Sequence, residues 1–258
     1  MTAVRVERDG PLAVIVHDSP PVNLWDQATM DGFAAALDDL EADPPRALLI
    51  RAEGRVVSGG VDVKLFAQIA DGRAGEELWR TLLELPARLE ALPYPTVFAA
   101  HALCLTASFE ISLACDVLLA AEAAKFGLVE RVVGLTPSIG GPQRLVERAG
   151  PSRARELVYT GALFDAATLE RWNVVNRVLP DDGFDAAARA FATDLATGPT
   201  VAHAATKRIV RAALEGGVAQ ADAVVPEVAG ALFDTADLKG AVQSFLEHGP
   251  GKADFEGE

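Results

Sequence analysis

Val4 and Val6 alternate with charged neighbours in VRVERD, and the run LAVIVH follows the Gly10-Pro11 pair. Residues 4–17 therefore predict two short strands joined by a turn. DQATMDGFAAALDDLEAD (26–43) repeats its apolar positions at helical spacing, whereas RALLIR (46–51) is a short apolar run suited to a buried strand. AEGRVVSGG (52–60) carries the glycines of a loop, and VDVKLFAQIA (61–70) predicts the opening of a helix. EELWRTLLELPARLEAL (76–92) predicts another, kinked or broken at Pro86. Strands are expected again at TVFAA (96–100) and DVLLAA (116–121), with a helix between them. Short apolar strands alternating with helices indicate an α/β core. Beyond about residue 140 the strands give way. Apart from NRVLP (176–180), residues 142–247 read as Ala-rich helical segments separated by GPS, FDA, PDDG and TGPT breaks. No internal repeat or low-complexity tract is visible.

One residue does not fit its pattern. In TASFEISLACD (106–116), a helical projection groups Ser108, Ser112 and Asp116 in one polar stripe. Glu110 falls roughly 160° from the centre of that stripe, on the side of Ala107, Leu113 and Ala114. A Glu in the first turn of a helix is favoured by the macrodipole by about 0.3–1 kcal/mol, and that alone requires no function. Yet an ionised carboxylate turned toward apolar neighbours is costly unless paired, hydrogen-bonded or protonated.

Composition narrows the chemistry. The 258 residues are 50% hydrophobic and 23% charged, which are ordinary globular values, and the formal net charge is −14. That balance argues against non-specific nucleic-acid binding, while a local cluster of basic residues could still meet an anionic small ligand. Cys104 and Cys115 lie in the apolar centre without metal-ligand spacing, and MTAVRVERDG lacks the apolar core and cleavage-like site of a leader. The expectation is a soluble cytoplasmic protein with reduced thiols and no membrane segment. Dinucleotide and P-loop glycine motifs are absent, and His17, His101, His203 and His248 lack ligand spacing, so no metal site is expected. Ser58 and Ser138 flank glycines outside any GxSxG elbow, and service to the backbone is the expected role of both.

Glu130, in KFGLVERVVGLTPSIGGPQRL (125–145), reads alone as a solvated loop charge beside Arg131. Paired with Glu110 it takes on another meaning, because two carboxyls flanking one volume can divide acid and base work. VVSGGVD and TASFE each end a strand-like run and start an expected helix, where backbone N–H groups are unpaired. Two such donors aimed at one point would form an oxyanion hole.

Through VVSGGVDVK (56–64), PTVFAAHALCLTASFEISLACDVLLAAEAAKFGLVERVVGLTPSIGGPQRL (95–145) and ELVYTGALFDAATLERWNVVNRVLP (156–180), the chain resembles the crotonase, or enoyl-CoA hydratase/isomerase, family. The resemblance implies a ββα spiral core over residues 1–190 and a helical oligomerisation region over 191–258, assembled as a homotrimer or a dimer of trimers. It places Val61 and Ala107 as oxyanion amides and Glu110 and Glu130 as the two catalytic glutamates of the hydratases. Ser58, Gly60, Asp62, Lys64 and Ser138 become candidate contacts to substrate and coenzyme A, with Lys64 meeting the anionic end. The implied substrate is a 2-enoyl-CoA thioester, with no cofactor beyond the coenzyme A that it carries. Double-bond isomerisation and acyl-CoA binding without turnover stay open as alternatives.

The chain departs from the family in places. His101-Ala102 replaces an Asn-Gly, Thr106-Ala107-Ser108 replaces a glycine run, and Leu128-Val129 replaces a Gln-Pro. Side chains there narrow the pocket and exclude conformations that only glycine tolerates. Negative φ is therefore expected at Thr106, Ala107 and Ser108, with the Ala107 N–H unpaired. Leu78, Trp79, Leu82 and Leu83 either line an acyl tunnel or simply pack the core.

Overall fold

The computed structural model describes residues 3–258, so the first two residues of MTAVRVERDG lie outside the described residues. In chain order the elements are β1 (Val4–Asp9), β2 (Leu12–His17), β3 (Leu24–Trp25), α1 (Gln27–Ala42), β4 (Ala47–Ala52) and β5 (Gly60–Val61). Then follow α2 (Gly72–Leu82), α3 (Glu84–Ala91), β6 (Thr96–Ala100), β7 (Cys104–Leu105), α4 (Ala107–Leu113), β8 (Val117–Ala121) and β9 (Lys125–Gly127). The chain closes with α5 (Gly141–Thr160), β10 (Phe164–Asp165), α6 (Ala166–Arg171), β11 (Arg177–Leu179), α7 (Phe184–Ala196), α8 (Thr200–Gly230) and α9 (Ala236–His248).

The longer strands form a six-stranded sheet in the order β1-β2-β4-β6-β8-β11, parallel except for the β1–β2 hairpin. All six residues of β2 are buried, which is why LAVIVH is apolar almost throughout: helices cover both faces of a parallel sheet. After most sheet strands the chain makes a second, very short strand before turning into a helix. β3 pairs with β5, and β9 pairs with both β7 and β10, in two small sheets beside the large one. This long-strand, short-strand, helix turn recurs along the chain, so the fold repeats where the sequence shows no repeat. A two-residue strand is too short to leave a periodic trace.

Packing follows from residue spacing. α1 is capped by Asp26, whose carboxylate accepts the Thr29 N–H at 2.8 Å, and it buries Met30, Phe33, Leu37 and Leu40. α7 buries Phe184, Ala188, Ala192 and Ala196, one residue per turn, and the small alanines let it lie close across β2, β4 and β6. α8 is interrupted at Gly217 (φ 77°) and runs with α9 as the helical C-terminal region. Arg46, just before β4, ties this region to the core on both sides, donating to Gly198 O ahead of α8 (2.8 Å) and to Phe255 O beyond α9 (2.9 Å). No helix among the described residues is long and apolar enough to cross a membrane.

Two local expectations are corrected. Residues 61–70 do not open an α-helix: Val61 is taken by the β3–β5 pairing, and Asp62 Oδ1 accepts the Lys64 N–H at 3.0 Å in a tight turn. Only a single 3₁₀ turn, Phe66–Gln68, remains. The break in 76–92 falls at Leu83, while Pro86 sits in the first turn of α3, where a missing N–H breaks no helical bond. Trp79 packs on Phe66 with ring centroids 5.8 Å apart, and Leu82 is buried.

Candidate active site

The site is built from the short strands and the loops that leave them. In the first loop, Ser58 has no exposed surface; its hydroxyl donates to Asn23 O (2.7 Å) and accepts the Gly60 N–H (3.0 Å). Asp62 N–H donates to Trp25 O at 3.0 Å. The amides on either side of Val61 are thus held by the protein. Alternation along the strand turns the Val61 N–H away from them. Gly60 has φ 107°, and a Cβ there would stand 2.9 Å from Thr106 Oγ1, so this position requires glycine twice over. Lys64 is exposed and pairs with no acidic side chain among the described residues.

The second loop leaves β7 and enters α4. Thr106 N–H donates to Gly127 O (3.0 Å), and its carbonyl accepts the Glu110 N–H (2.9 Å), the first bond of the helix. Between these anchors Thr106 has φ 48° and ψ −120°. The expectation of negative φ at Thr106 is therefore overturned: cross-linking to β9 on one side and the start of α4 on the other leave one geometry, at a cost of about 1–3 kcal/mol for a branched residue. The Ala107 N–H donates to no acceptor among the described residues. The serines of the expected polar stripe are buried with the rest of α4. Ser108 Oγ accepts from Trp25 Nε1 at 2.6 Å and Ser112 Oγ donates to Phe109 O, so internal partners replace water.

Glu110 is 2% exposed. Its Oε1 accepts the N–H groups of Ile139 (2.9 Å) and Gly141 (2.8 Å) at the start of α5. A Cβ on Gly141 would come within 2.8 Å of Glu110 Cγ, so the carboxyl is seated by contact as well as by hydrogen bonds. Arg144, paired with Glu90 (Nε to Oε1, 2.7 Å), adds positive charge nearby. Burial dominates all the same. It pushes the Glu110 carboxyl up to about 7, against the opposing pull of the two N–H groups and Arg144.

Glu130 opens a 3₁₀ turn, Glu130–Val133, and is half-buried rather than solvated as its sequence position suggests. Its Oε2 is buried without a hydrogen-bond partner among the described residues. Burial, and then the charge of Glu110, push it up to about 8. The fold thus brings Glu110 and Glu130 within electrostatic reach of each other. Ser138, by contrast, is occupied locally, its hydroxyl donating to Thr136 O at 2.9 Å.

Sequence reasoning missed Ile139, Gly141 and Trp25. Gly140-Gly141-Pro142 did carry a trace of the first two, since a left-handed glycine (Gly140, φ 101°) before a Pro in the first turn marks a helix start, where N–H groups are free.

A spiral of ββα turns around a mostly parallel sheet, with paired carboxyls beside a free loop amide, defines a crotonase-type protein. The chain belongs to the enoyl-CoA hydratase/isomerase family, whose model matches residues 7–258. A Mycobacterium bovis protein named "Probable enoyl-CoA hydratase echA8" is 30% identical over 246 residues, 95% of each chain. The Mycobacterium tuberculosis protein named "Probable enoyl-CoA hydratase EchA17" is 35% identical over 206 residues, 78% of this chain and 77% of its own. Among solved structures, an enoyl-CoA hydratase from Geobacillus kaustophilus HTA426 superposes with a TM-score of 0.93 at 25% identity, covering 100% of this chain and 98% of its own.

Proposed function

We propose that the protein is an enoyl-CoA hydratase, adding water reversibly and syn across the double bond of a 2-enoyl-CoA thioester. The observation that carries this reading is the unequal setting of two carboxyls that both sit far above ordinary glutamate values. Glu110, with two N–H donors on Oε1 that favour its ionised form, is the group suited to lose its proton and accept one from water. Glu130, whose Oε2 has no hydrogen-bond partner among the described residues and whose ionisation the charge of Glu110 opposes, is the group suited to hold a proton and deliver it. Water oxygen bonds to the β-carbon as its proton passes to Glu110, and the π electrons move onto the thioester oxygen. The Val61 and Ala107 N–H groups stabilise that enolate. The enolate then collapses, the α-carbon takes the proton of Glu130, and exchange with solvent restores both carboxyls.

The electrons stay within the substrate, so the reaction calls for no redox cofactor. Lys64, exposed beside the first loop, is the proposed contact for the phosphates of coenzyme A. Incubation with crotonyl-CoA tests the reading: loss of the conjugated enoyl absorbance with formation of the 3-hydroxyacyl product supports it. Inert crotonyl-CoA alongside a gain of that absorbance from a 3-enoyl-CoA makes the protein an isomerase instead. Acyl-CoA binding with neither change makes it a binding protein.

The proposed assembly is a homotrimer or a dimer of trimers. Its support is the apolar surface of the C-terminal helices, where Val218 (74%), Phe233 (71%) and Leu246 (79%) stand in solvent on a single chain. Sedimentation as a monodisperse monomer at micromolar concentration would sink this assignment.

A further inference from the structure

We infer that the Thr106 hydroxyl is a third hydrogen-bond donor to the substrate thioester oxygen, acting beside the two loop amides. This deepens the hydratase reading and rests on the same pocket. Three observations converge on one side chain. Thr106 is 6% exposed, yet its Oγ1 has no hydrogen-bond partner among the described residues. It is a β-branched residue held at φ 48°, a conformation that side chains of this shape rarely adopt. Its Oγ1 points at Gly60, close enough that a Cβ there would stand 2.9 Å away.

The placement of the hydroxyl gives these observations a purpose. Thr106 immediately precedes Ala107, and Gly60 immediately precedes Val61, so Oγ1 lies between the residues that lead into the two proposed donors. An enolate oxygen received by those amides would find a rotatable O–H next to it. Burial makes such a bond stronger toward developing negative charge than it would be in water. The backbone cost at Thr106 and the unpaired hydroxyl are both features that a bound oxyanion would offset, whereas serine, valine or glycine at this position would carry only part of the burden. Ser108, the other hydroxyl of this segment, is not available for the role because Trp25 Nε1 occupies it at 2.6 Å. The step adds no new proton transfer: Thr106 keeps its proton and only donates a hydrogen bond.

Thr106→Val preserves the branching and the backbone demand but removes the donor. The expected result is a fall of roughly 100-fold in kcat for crotonyl-CoA hydration, the lower end for losing one oxyanion donor. Affinity for butyryl-CoA should stay within about threefold, because the ground-state carbonyl gains little from the bond. The Tm should be equal or higher, since an unpaired buried hydroxyl has been removed. Thr106→Ser should recover most of the rate, which a purely steric role would not allow. A second readout uses acetoacetyl-CoA, whose bound enolate absorbs differently from the keto form. Thr106→Val should shift its enolisation toward alkaline pH. If the parent hydrates no enoyl-CoA, the hydratase reading fails, and the enolate band still decides the role of Thr106. Thr106→Val matching the parent within about threefold in hydration, or in enolisation where hydration is absent, overturns the inference. So does a Thr106→Val that loses Tm and activity together while Thr106→Ser recovers neither.

Discussion

Glu110 and Glu130 have opposite surroundings. Glu110 sits on a helix, with one oxygen held by two backbone N–H groups and its Cγ pressed on Gly141. Glu130 opens a short turn, and its buried Oε2 has no hydrogen-bond partner among the described residues. Burial raises both, but the N–H groups pull Glu110 back while the neighbouring charge pushes Glu130 further. One residue type thereby acquires two proton affinities, set by what the backbone offers each side chain rather than by distance from solvent alone.

The largest test of this contrast is to remove each carboxyl in turn. Glu110→Gln should lower crotonyl-CoA hydration by about 10²–10⁴ while leaving measurable exchange of the α-proton with deuterated solvent. Glu130→Gln should depress hydration and exchange together. Hydration by Glu110→Gln within about threefold of the parent would show that Glu110 is not the water-activating base. In the parent, hydration should follow a bell-shaped pH profile, rising as Glu110 ionises near 7 and falling as Glu130 ionises near 8. A flat profile between pH 6 and 9 would contradict the division of roles.

Next in size is the seat of Glu110. Gly141→Ala places a Cβ 2.8 Å from Glu110 Cγ, which must then shift, and should cost roughly 10- to 100-fold in hydration, with α-proton exchange at Glu130 less affected. Equal losses in both reactions would mean that the pocket has collapsed as a whole.

Stability offers a smaller effect with a definite sign. Because both folded carboxyls titrate above the usual glutamate value near 4.5, the native state binds more protons than the unfolded chain between that value and about 8. Stability should therefore fall as pH rises through this window, and the loss should be complete above it. Glu130→Gln removes one contributor, so its advantage over the parent should be near zero at pH 4.5 and reach about 1–3 kcal/mol at pH 9. Denaturant titrations at the two pH values measure it, and a pH-independent difference would count against burial as the cause. The smallest expected change is Trp25→Phe, which leaves Ser108 Oγ without its donor and should lower stability by about 1 kcal/mol.

The hairpin, α1, β4, β6 and β8 were legible because each is long enough to display alternation, a helical stripe or a continuous apolar run. Glu110 was legible as a charge on the wrong side of a helix, and Ser108 and Ser112 as a polar stripe, but not what that stripe bonds to. Their partners, Trp25 for Ser108 and the Phe109 carbonyl for Ser112, become evident only once the elements pack. The same limit hid the seat of Glu110, since Ile139 and Gly141 reach it across about thirty intervening residues. Residues 61–70 failed as a helix because pairing with β3, a partner far back in the chain, outcompeted local spacing. Thr106 failed for a related reason: its positive φ is imposed by Gly127 and the start of α4, against the preference of its own side chain.

The contact between Gly60 and Thr106 has a consequence for how this pocket can change. A side chain at 106 occupies the space that one at 60 would need, so the two positions are not free to vary independently. Gly60→Ala should be poorly tolerated in the present background and better tolerated once Thr106 is reduced to glycine, apart from the strain that φ 107° imposes on any residue at 60. The double variant should then be less damaged than the sum of the two single changes. A history in which glycine at 106 gave way to threonine would have closed the route to a larger residue at 60 behind it, making the order of substitutions, and not only their identity, part of what shapes the pocket.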